Sequence, residues 1–356
     1  MSELAVTEQL IPPTNSTSWK LRDIQVAPGR TLKATPVFET YWRFAVRRQD
    51  IFMRRVLAQP PSQPIDPILA TYRFTNAYRA ADRVSQYLIR KVLYEGDQSP
   101  MEIFFRSLLF RLFNRIETWE HLSGRLGSLS SKTFDPERYS LVLDGLLEAG
   151  KTIYSPAYIM PCPPFDHARK HGNHLRLLDL MLQDDAPRRV QNADSLKDVY
   201  GILKGYPSIG PFLAFQLAID LNYSTLLDFS EMDFVVAGPG ACDGIRKCFA
   251  DTGGLDYADV MHAVSDLSDS EFDRLGIRFR NLWGRRLHLV DIQNLFCEVD
   301  KYARVAHPLS PSISKRTRIK QRYSPNPKPL PQWYPPKWNL DLPPSIACKS
   351  GLDITP

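Results

Sequence analysis

Long hydrophobic runs are absent from this sequence of 356 residues. No window of about 18 consecutive apolar residues occurs, so we expect no transmembrane helix and no membrane partner. Residues 1–11 include two glutamates and no sustained apolar stretch, which is not the pattern of a secretory signal. These absences predict an intracellular location.

Cysteine is also scarce, and neither sign of charge is in large excess. The five cysteines are odd in number and scattered, which predicts reduced thiols and no disulfide framework. The 45 basic residues exceed the 39 acidic ones by six, and the isoelectric point is about 9.0. This balance permits a nucleic acid as partner without requiring one, and it leaves the oligomeric state open.

One segment, at residues 145–152, matches the phosphate-binding loop pattern G-x-x-x-x-G-K-[ST]. Such a loop requires a strand before it and a helix after it. Here a helical pattern precedes the segment and several prolines follow it, which would break a helix. Gly150 is therefore predicted to cap the C-terminus of a helix, and no nucleotide cofactor is predicted.

A histidine group comes next, formed by His167, His171 and His174. Histidines four residues apart on a helix can share a metal ion. Arg169 and Lys170 lie within the same segment and make it a poor place for a cation, so we predict no metal site.

Helical periodicity dominates from residue 36 onward and predicts a mainly α fold, with a last helix over residues 285–305. Residues 1–35 are predicted to be a flexible N-terminal arm, residues 36–306 a helical domain, and residues 307–356 a Pro-rich basic tail. The basic cluster of the tail fits a nuclear import signal, a DNA-contacting arm or a solvated run of charge, and comprises Lys315, Arg316, Arg318, Lys320 and Arg322.

The chain is organised around residues 205–211, Gly-Tyr-Pro-Ser-Ile-Gly-Pro, which separate two predicted helices at 196–203 and 212–221. This pattern predicts a helix-hairpin-helix motif. Its glycines allow backbone dihedral angles that other residues resist, and the amides of Gly205, Ile209 and Gly210 are predicted to bind a DNA phosphate. The alternative is an ordinary turn between two core helices.

Further motifs are spread over residues 38–305. They are Arg48-Gln49-Asp50-Ile51-Phe52 with Arg55, Asp66-Pro67-Ile68-Leu69, Tyr72-Arg73-Phe74-Thr75-Asn76-Ala77-Tyr78-Arg79, Ala157-Tyr158-Ile159-Met160, Phe234 to Gly240 with Gly244-Ile245, and Asp291-Ile292-Gln293-Asn294 with Cys297-Glu298 and Lys301-Tyr302. With these motifs the chain resembles the alpha-glutamyl/putrescinyl thymine pyrophosphorylase family, also described as the 5-hmdU DNA kinase helical domain. The resemblance implies a DNA-glycosylase-like helix-hairpin-helix helical fold.

The resemblance also implies an enzyme that modifies DNA bases. Members are expected to act on thymine with a phosphorylated 5-hydroxymethyl group, where an amine or amino acid displaces pyrophosphate to give a hypermodified base. The implied partners are DNA and a DNA kinase, because the helical domain itself is not expected to phosphorylate.

Site residues follow from this resemblance. Asp233 is the expected general base for the incoming amine, and Asn76 is the expected residue at a base edge. The remaining expected contacts are to phosphate or pyrophosphate from Arg79, Arg83 and Lys301, and to substrate from Thr75, Gly238 and Gly240.

Several alternatives stay open. Asp228 or Glu231 could be the base instead of Asp233, Asp233 could merely cap the next element, and Asp82 could pair with Arg79 or Arg83. The chain could also be a monofunctional glycosylase that uses Asp233, or a non-catalytic reader of modified DNA. Strand cleavage is not expected, because Pro211 and Phe212 stand where lyases carry a lysine.

Overall fold

The computed structural model describes residues 19–61, 65–158, 160–310, 314–326 and 331–347. Within these ranges the protein is mainly helical, as predicted. The α-helices are α1 (Pro36–Val56), α2 (Pro67–Thr71), α3 (Arg83–Tyr87), α4 (Pro100–Phe113), α5 (Ile116–Leu126), α6 (Pro136–Glu148), α7 (Lys170–Gln183), α8 (Ala186–Gln191), α9 (Leu196–Lys204), α10 (Pro211–Asn222), α11 (Pro239–Cys248), α12 (Tyr257–Arg274), α13 (Leu289–Ala306) and α14 (Pro344–Ala347). A π-helical stretch covers Leu88–Leu93. Among the described helices, none combines the length and the apolar character that crossing a bilayer demands.

The described strands form one small antiparallel sheet, with β1 (Arg22–Ala27), β2 (Arg30–Ala34) and β3 (Phe249–Asp251) in that order. Ile24 pairs with Leu32 across the β1–β2 hairpin, and both are buried. The prediction of a flexible arm is therefore wrong for residues 22–34. The composition of this stretch is polar because strands with one buried face alternate apolar and polar residues. Residues 1–18 of the predicted arm lie outside the described residues.

The described residues divide into two compact units. The first unit contains the residues up to Arg79 and those within Ala237–Leu330, and thus β1–β3, α1, α2 and α11–α13. The second contains Ala80–Val236 and the residues from Pro331 onward, and thus α3–α10 and α14. The domain prediction for residues 36–306 stays a prediction.

Close packing of α11 against α13 marks the core of the first unit. A β-carbon at Gly244 would lie 2.1 Å from the carbonyl oxygen of Phe296, so no other residue fits there without moving the helices. Lys247 on α11 also forms a buried ion pair with Asp300 on α13, with 2.7 Å between Nζ and Oδ1. Because a buried charge is stable only when paired, this contact fixes the register of the two helices.

Helix α4 forms the centre of the second unit, and nearly all of its residues are buried. It includes Arg111, whose Nε and Nη2 donate to the two carboxylate oxygens of Asp220 on α10 at 2.6 and 2.8 Å. The planar guanidinium matches a carboxylate in this two-bond geometry. Asn114 accepts a further bond from Arg111 Nη1 at 2.6 Å, which completes the polar group inside an otherwise apolar core.

Part of the predicted tail packs into the second unit. Trp333 is buried, its ring lies 4.6 Å from that of Tyr94, and its amide donates to Gln86. Lys337 Nζ donates to the carbonyl oxygens of Asn222 and Ser224, at the C-terminal end of α10. A cation is favourable there because the last carbonyls of a helix lack partners within the helix and carry negative partial charge.

Candidate functional site

The segment between α2 and Arg79 holds two of the predicted site residues, Thr75 and Asn76. Arg48 on α1 donates through Nε to the carbonyl oxygen of Thr75 at 2.8 Å and through Nη2 to Oδ1 of Asn76 at 2.6 Å. The amide of Thr75 donates to Glu298 Oε2 on α13 at 2.9 Å. Helices α1 and α13 therefore hold this segment from two sides.

Asn294 on α13 adds two more bonds to the same segment. Its Nδ2 donates to the carbonyl oxygen of Asn76 at 2.9 Å, and its Oδ1 accepts from the hydroxyl of Thr75 at 3.2 Å. Asn76 is only 6% exposed. These bonds make Thr75 and Asn76 part of a fixed polar framework, and their contacts with substrate or a base edge stay predictions.

Lys301 lies beside this framework on α13. Its ammonium group is 2.8 Å from Glu298 Oε2 and 4.8 Å from the centre of the Phe74 ring. Its side chain is 19% exposed, and its ammonium group is paired with Glu298. Of the two phosphate contacts predicted in the first unit, Lys301 and Arg79, Lys301 is thus the more exposed.

Arg79 is placed differently from Lys301. The residue is 4% exposed, and its backbone amide donates to Asp291 Oδ1 at 2.9 Å. Asp291 also accepts from the amide of His288 and so caps α13. In this conformation the guanidinium of Arg79 lies inside the protein, where a phosphate in solvent does not reach it, and its phosphate contact stays a prediction.

Asp66 is the N-cap residue of α2, a helix of five residues. Its Oδ1 accepts from the amides of Ile68 and Leu69, and its Oδ2 accepts from Arg47 at 2.9 Å and from the hydroxyl of Tyr302 at 2.8 Å. Burial, and then the Asp66 carboxylate, raise the pKa of Tyr302. Tyr302 therefore remains a hydrogen-bond donor at neutral pH and ties α13 to α2.

The two glycines predicted to approach a substrate lie at the start of α11. Gly238 is the N-cap residue of α11 and is buried. A β-carbon at Gly240 would lie 2.7 Å from Sγ of Cys297 on α13. Gly240 is therefore required for the close approach of α13, whereas the prediction concerned the approach of a substrate. Burial is the main cause that raises the pKa of Cys297 to about 12, so this group stays a thiol.

The two helices predicted on either side of the Gly-Pro turn are present in the second unit as α9 and α10, joined by residues 205–210. The helix-hairpin-helix motif itself stays a prediction. Gly205 has φ −66° and Gly210 has φ −73°, so neither glycine uses the left-handed region. Ser208 does, with φ 63°. The expectation that the glycines supply unusual dihedral angles is wrong, and likeness to the glycosylase fold stays a prediction.

The amides of this turn are mostly used within the protein. The amide of Gly205 donates to the carbonyl oxygens of Gly201 and Ile202, and that of Ile209 donates to Tyr206. This corrects the predicted phosphate contacts of Gly205 and Ile209, because their donors already close α9 and the turn. Gly210 is exposed at the N-cap of α10 and stays a predicted phosphate contact.

The predicted general base, Asp233, lies in the loop between α10 and α11 and is exposed. Within the described ranges, its side chain forms no hydrogen bond or ion pair. Gly238 caps α11, so the alternative that Asp233 caps the next element is wrong. Glu231 is buried, whereas Asp228 is exposed and lies 3.6 Å from Lys337. Asp233 as the base stays a prediction.

Arg83 is the first residue of α3 and is half-buried. It therefore belongs to the second unit, together with the hairpin and Asp233. Thr75, Asn76, Arg79 and Lys301 belong to the first unit, together with Gly238 and Gly240. Contacts of Arg83 with a phosphate stay a prediction.

The segment that matches the phosphate-binding loop ends α6 instead. The amide of Gly150 donates to the carbonyl oxygen of Leu147, and that of Lys151 donates to Leu146. Gly150 has φ 70°. These are the two bonds of a Schellman motif with a left-handed glycine, so the predicted C-cap is confirmed. The amides of Gly150 and Lys151 are committed to α6 and do not surround an anion.

The histidine group is likewise used in structural contacts. His174 lies 2.7 Å from the Tyr154 hydroxyl through Nδ1 and 2.8 Å from the carbonyl oxygen of Pro161 through Nε2. A carbonyl only accepts, so Nε2 carries the proton and Nδ1 accepts from Tyr154. His171 lies 3.1 Å from Asp144. Across the described residues, no group of three or more His, Cys, Asp or Glu side chains is arranged to hold a metal ion.

The sequence analysis predicts no function for a basic loop at residues 276–288. We call it the arginine loop; it contains Arg278, Arg280, Arg285 and Arg286. The prediction of a helix from residue 285 is wrong by four residues, because α13 begins at Leu289. The signal that could have shown this loop is the alternation of arginines with aromatic residues between two glycines.

Comparison with known proteins gives two matches in sequence. The sequence profile of a family described as "5-hmdU DNA kinase, helical domain" matches residues 35–311. A protein named 5-hmdU DNA kinase from Bacillus phage SP10 is 29% identical over 297 residues, which cover 77% of this chain and 45% of the phage protein. The chain thus spans less than half the length of that relative. No solved structure matches.

Proposed function

Because this chain belongs to the family of the 5-hmdU DNA kinase helical domain, we propose that it works in the modification of 5-hydroxymethyluracil in DNA. The single observation that carries the proposal is the family match over residues 35–311, which includes every proposed site residue. In finer terms, the proposed activity is the displacement of pyrophosphate from a phosphorylated 5-hydroxymethyl pyrimidine by an amine or amino acid.

The proposed step is a nucleophilic substitution at carbon. The amine nitrogen forms a bond to the methylene carbon attached to C5 of the base. The bond between that carbon and oxygen breaks, and pyrophosphate leaves with the electron pair. The proton from the nitrogen passes to the carboxylate of Asp233, the proposed general base.

The proposed site residues include a cation, a carboxylate and an amide, and each has a different proposed role. Lys301 binds phosphate oxygens in this proposal, because its side chain is partly exposed and its ammonium group lies at the framework, 4.8 Å from the centre of the Phe74 ring. Asp233 is exposed, which suits a carboxylate that must receive a proton from an external amine. Asn76 lies next to Thr75 in the segment to which Arg48 donates two hydrogen bonds. These bonds fix the position of Asn76, for which contact with a base edge is proposed.

A separate kinase activity is proposed to supply the phosphorylated base. In this chain the segment that resembles a nucleotide-binding loop is the C-terminal cap of α6, with its amides bonded to helix carbonyls. The match covers 45% of the phage protein, and phosphorylation is not part of the activity proposed for this chain. The proposed partners are therefore DNA and a DNA kinase.

Nucleoside mass spectrometry tests this function. The protein is incubated with duplex DNA that contains 5-hydroxymethyluracil, either plain or pyrophosphorylated, and with a mixture of amines and amino acids. We expect an amine-bearing thymidine from the pyrophosphorylated substrate only. Free base with abasic DNA would identify a glycosylase, and bound but unchanged DNA would identify a reader; either outcome overturns the transfer reaction.

Three aspartate variants assign the base. Asp233→Asn is expected to lower turnover on the order of 100-fold or more, with DNA affinity unchanged, because general bases typically contribute 10²–10⁴-fold. Asp194→Asn changes another exposed carboxylate of the second unit and is expected to keep full turnover. If Asp228→Asn lowers turnover and Asp233→Asn does not, the base is Asp228.

A further inference from the structure

The arginine loop is strongly basic, and three of its arginines are exposed. Its 13 residues, 276–288, contain four arginines and no acidic residue. Arg278, Arg280 and Arg286 are exposed. Over residues 19–61, 65–158, 160–310, 314–326 and 331–347, no hydrogen bond or ion pair involves these three side chains. Three exposed guanidinium groups thus lie within nine residues, and no ion pair with the described residues neutralises them.

The tip of the loop is a tight turn with strained backbone. The amides of Leu282 and Arg285 each donate to the carbonyl oxygen of the other at 3.1 Å. Between them, Trp283 has φ 48° and Gly284 has φ 98°, as in a two-residue hairpin turn of type I′. A bulky residue rarely adopts the left-handed region, and such strain persists only where surrounding contacts impose it.

Those contacts come from within the first unit. The hydroxyl of Tyr78 donates to the carbonyl oxygen of Arg285 at 2.7 Å and accepts from the amide of Leu282 at 3.2 Å. Tyr78 is 1% exposed. One buried hydroxyl therefore holds both sides of the turn.

Aromatic packing fixes the remainder of the loop. The ring of Phe279 stacks on that of Phe272 with 5.0 Å between centroids and 3° between planes. The ring of Trp283 meets that of Phe52 edge-on at 6.3 Å. The arginines adjacent to these rings consequently project from a rigid backbone, which lowers the entropy that a ligand must remove on binding.

We propose that the arginine loop is a DNA-backbone contact surface on which Arg278, Arg280 and Arg286 bind phosphates. Guanidinium groups bind phosphate oxygens through two parallel hydrogen bonds. Duplex DNA offers one negative charge per about 1.7 Å of helix axis, so closely spaced cations find several phosphates. The proposal rests on the proposed function for its choice of DNA as partner, and it names where DNA is held.

Salt-dependent binding tests the surface. The full chain is titrated against an unmodified 20-base-pair duplex by fluorescence anisotropy between 50 and 200 mM salt. The triple variant R278A/R280A/R286A is expected to reduce the slope of log K against log salt by about 3, at about 0.9 per lost phosphate contact. Its Kd is expected to rise at least about tenfold at the low-salt end.

A matched control removes the same three charges elsewhere. Lys33, Arg125 and Arg138 are exposed and lie outside the loop. The variant K33A/R125A/R138A is expected to keep the slope within about one of the unaltered chain. Equal losses in both triple variants would show a general charge effect and overturn the proposal. Far-UV circular dichroism and a thermal melt confirm that each variant is folded.

A charge-conserving variant keeps the test informative if the alanine variant is unstable. R278K/R280K/R286K is expected to retain most of the salt slope but to bind more weakly, because lysine lacks the two-bond geometry. An affinity equal to that of the unaltered chain would contradict the two-bond phosphate contacts that the proposal assigns to these arginines.

The failure of this surface and the failure of the proposed function give different results. If the unaltered chain modifies DNA but the alanine variant keeps both affinity and slope, only the surface is refuted. If the unaltered chain binds DNA but modifies nothing, and the alanine variant binds DNA more weakly, only the proposed chemistry is refuted. If the unaltered chain does not bind DNA, both are refuted.

Discussion

Arg111 and Asp220 form the polar centre of the second unit, where each buried charge is stabilised by the opposite charge of the other. Both side chains are at most 3% exposed and share two hydrogen bonds. The guanidinium also lies 5.4 Å from the centre of the Tyr158 ring. Removal of one charge would leave the other buried without its oppositely charged partner, which costs more than the loss of the pair as a whole.

The substitution Arg111→Ala is expected to reduce the free energy of unfolding by about 3–5 kcal/mol. The double variant R111M/D220L is expected to lose much less, because it leaves no unpaired buried charge. Arg125→Ala, at an exposed position, is the control and should remain within about 0.5 kcal/mol of the unaltered chain. Urea unfolding measures all three; a single variant no less stable than the double would contradict the argument.

His174 makes stability depend on pH. Burial lowers its pKa to about 4, compared with about 6.5 in an unfolded chain. Between these values the unfolded state binds more protons, so stability is fully present above pH 6.5 and is lost as the pH falls towards 4. The contribution of His174 should fall by about 2 kcal/mol between pH 7 and pH 5.

Urea unfolding at pH 7 and pH 5 measures this dependence. His174→Gln keeps hydrogen-bonding groups but does not titrate, so it should show a smaller loss of stability between the two pH values. His307 is also buried, with a pKa lowered to about 4, and its share of the pH dependence remains in that variant. An equal loss in both chains would show that His174 does not titrate as proposed.

At the scale of elements, variants at the C-terminus of α6 distinguish two interpretations of residues 145–152. The segment is either a helix cap or a phosphate-binding loop. A β-carbon at Gly150 would meet no atom within 4 Å, so Gly150→Ala should cost only the left-handed backbone strain, about 1–2 kcal/mol. Lys151→Ala should leave stability and nucleotide affinity unchanged. Thermal unfolding and titration with a fluorescent nucleotide measure these effects; loss of nucleotide binding in Lys151→Ala would restore the phosphate-binding interpretation.

Elements with strong periodicity could be predicted from the sequence, whereas those fixed by distant partners could not. Helices α9 and α10 and the cap at Gly150 follow from local pattern and turn chemistry. The β1–β2 hairpin was missed, because polar strand residues outnumber the buried ones. The sequence predicts residues 285–288 of the arginine loop as helix, but their turn is held by Tyr78, which lies about 200 residues away in the chain.

The same limit applies to the candidate site. The motif that contains Thr75 and Asn76 was recognised, but its bonds to Glu298 and Asn294 join residues more than 200 positions apart. The commitment of the Gly205 amide to α9 also depends on where the helix ends, which sequence patterns place only to within a few residues. The residue types of the candidate site could therefore be predicted from the sequence. Which hydrogen-bond donors remain available to a ligand could not.

At the scale of the whole molecule, the predicted site residues belong to two compact units. The first unit contributes the framework around Thr75 and the arginine loop, and the second contributes the helical hairpin and Asp233. Each unit has a buried ion pair of its own, Lys247 with Asp300 in the first and Arg111 with Asp220 in the second.

The packed residues 331–347 have a practical consequence for recombinant work. The family match ends at residue 311, which invites truncation there. Such a shortened chain would lose Trp333 from beside Tyr94 and Lys337 from the end of α10, and would uncover an aromatic surface. Uncovered apolar surface promotes self-association. The soluble yield of this protein should therefore depend on retaining the segment through residue 347, beyond the boundary that homology suggests.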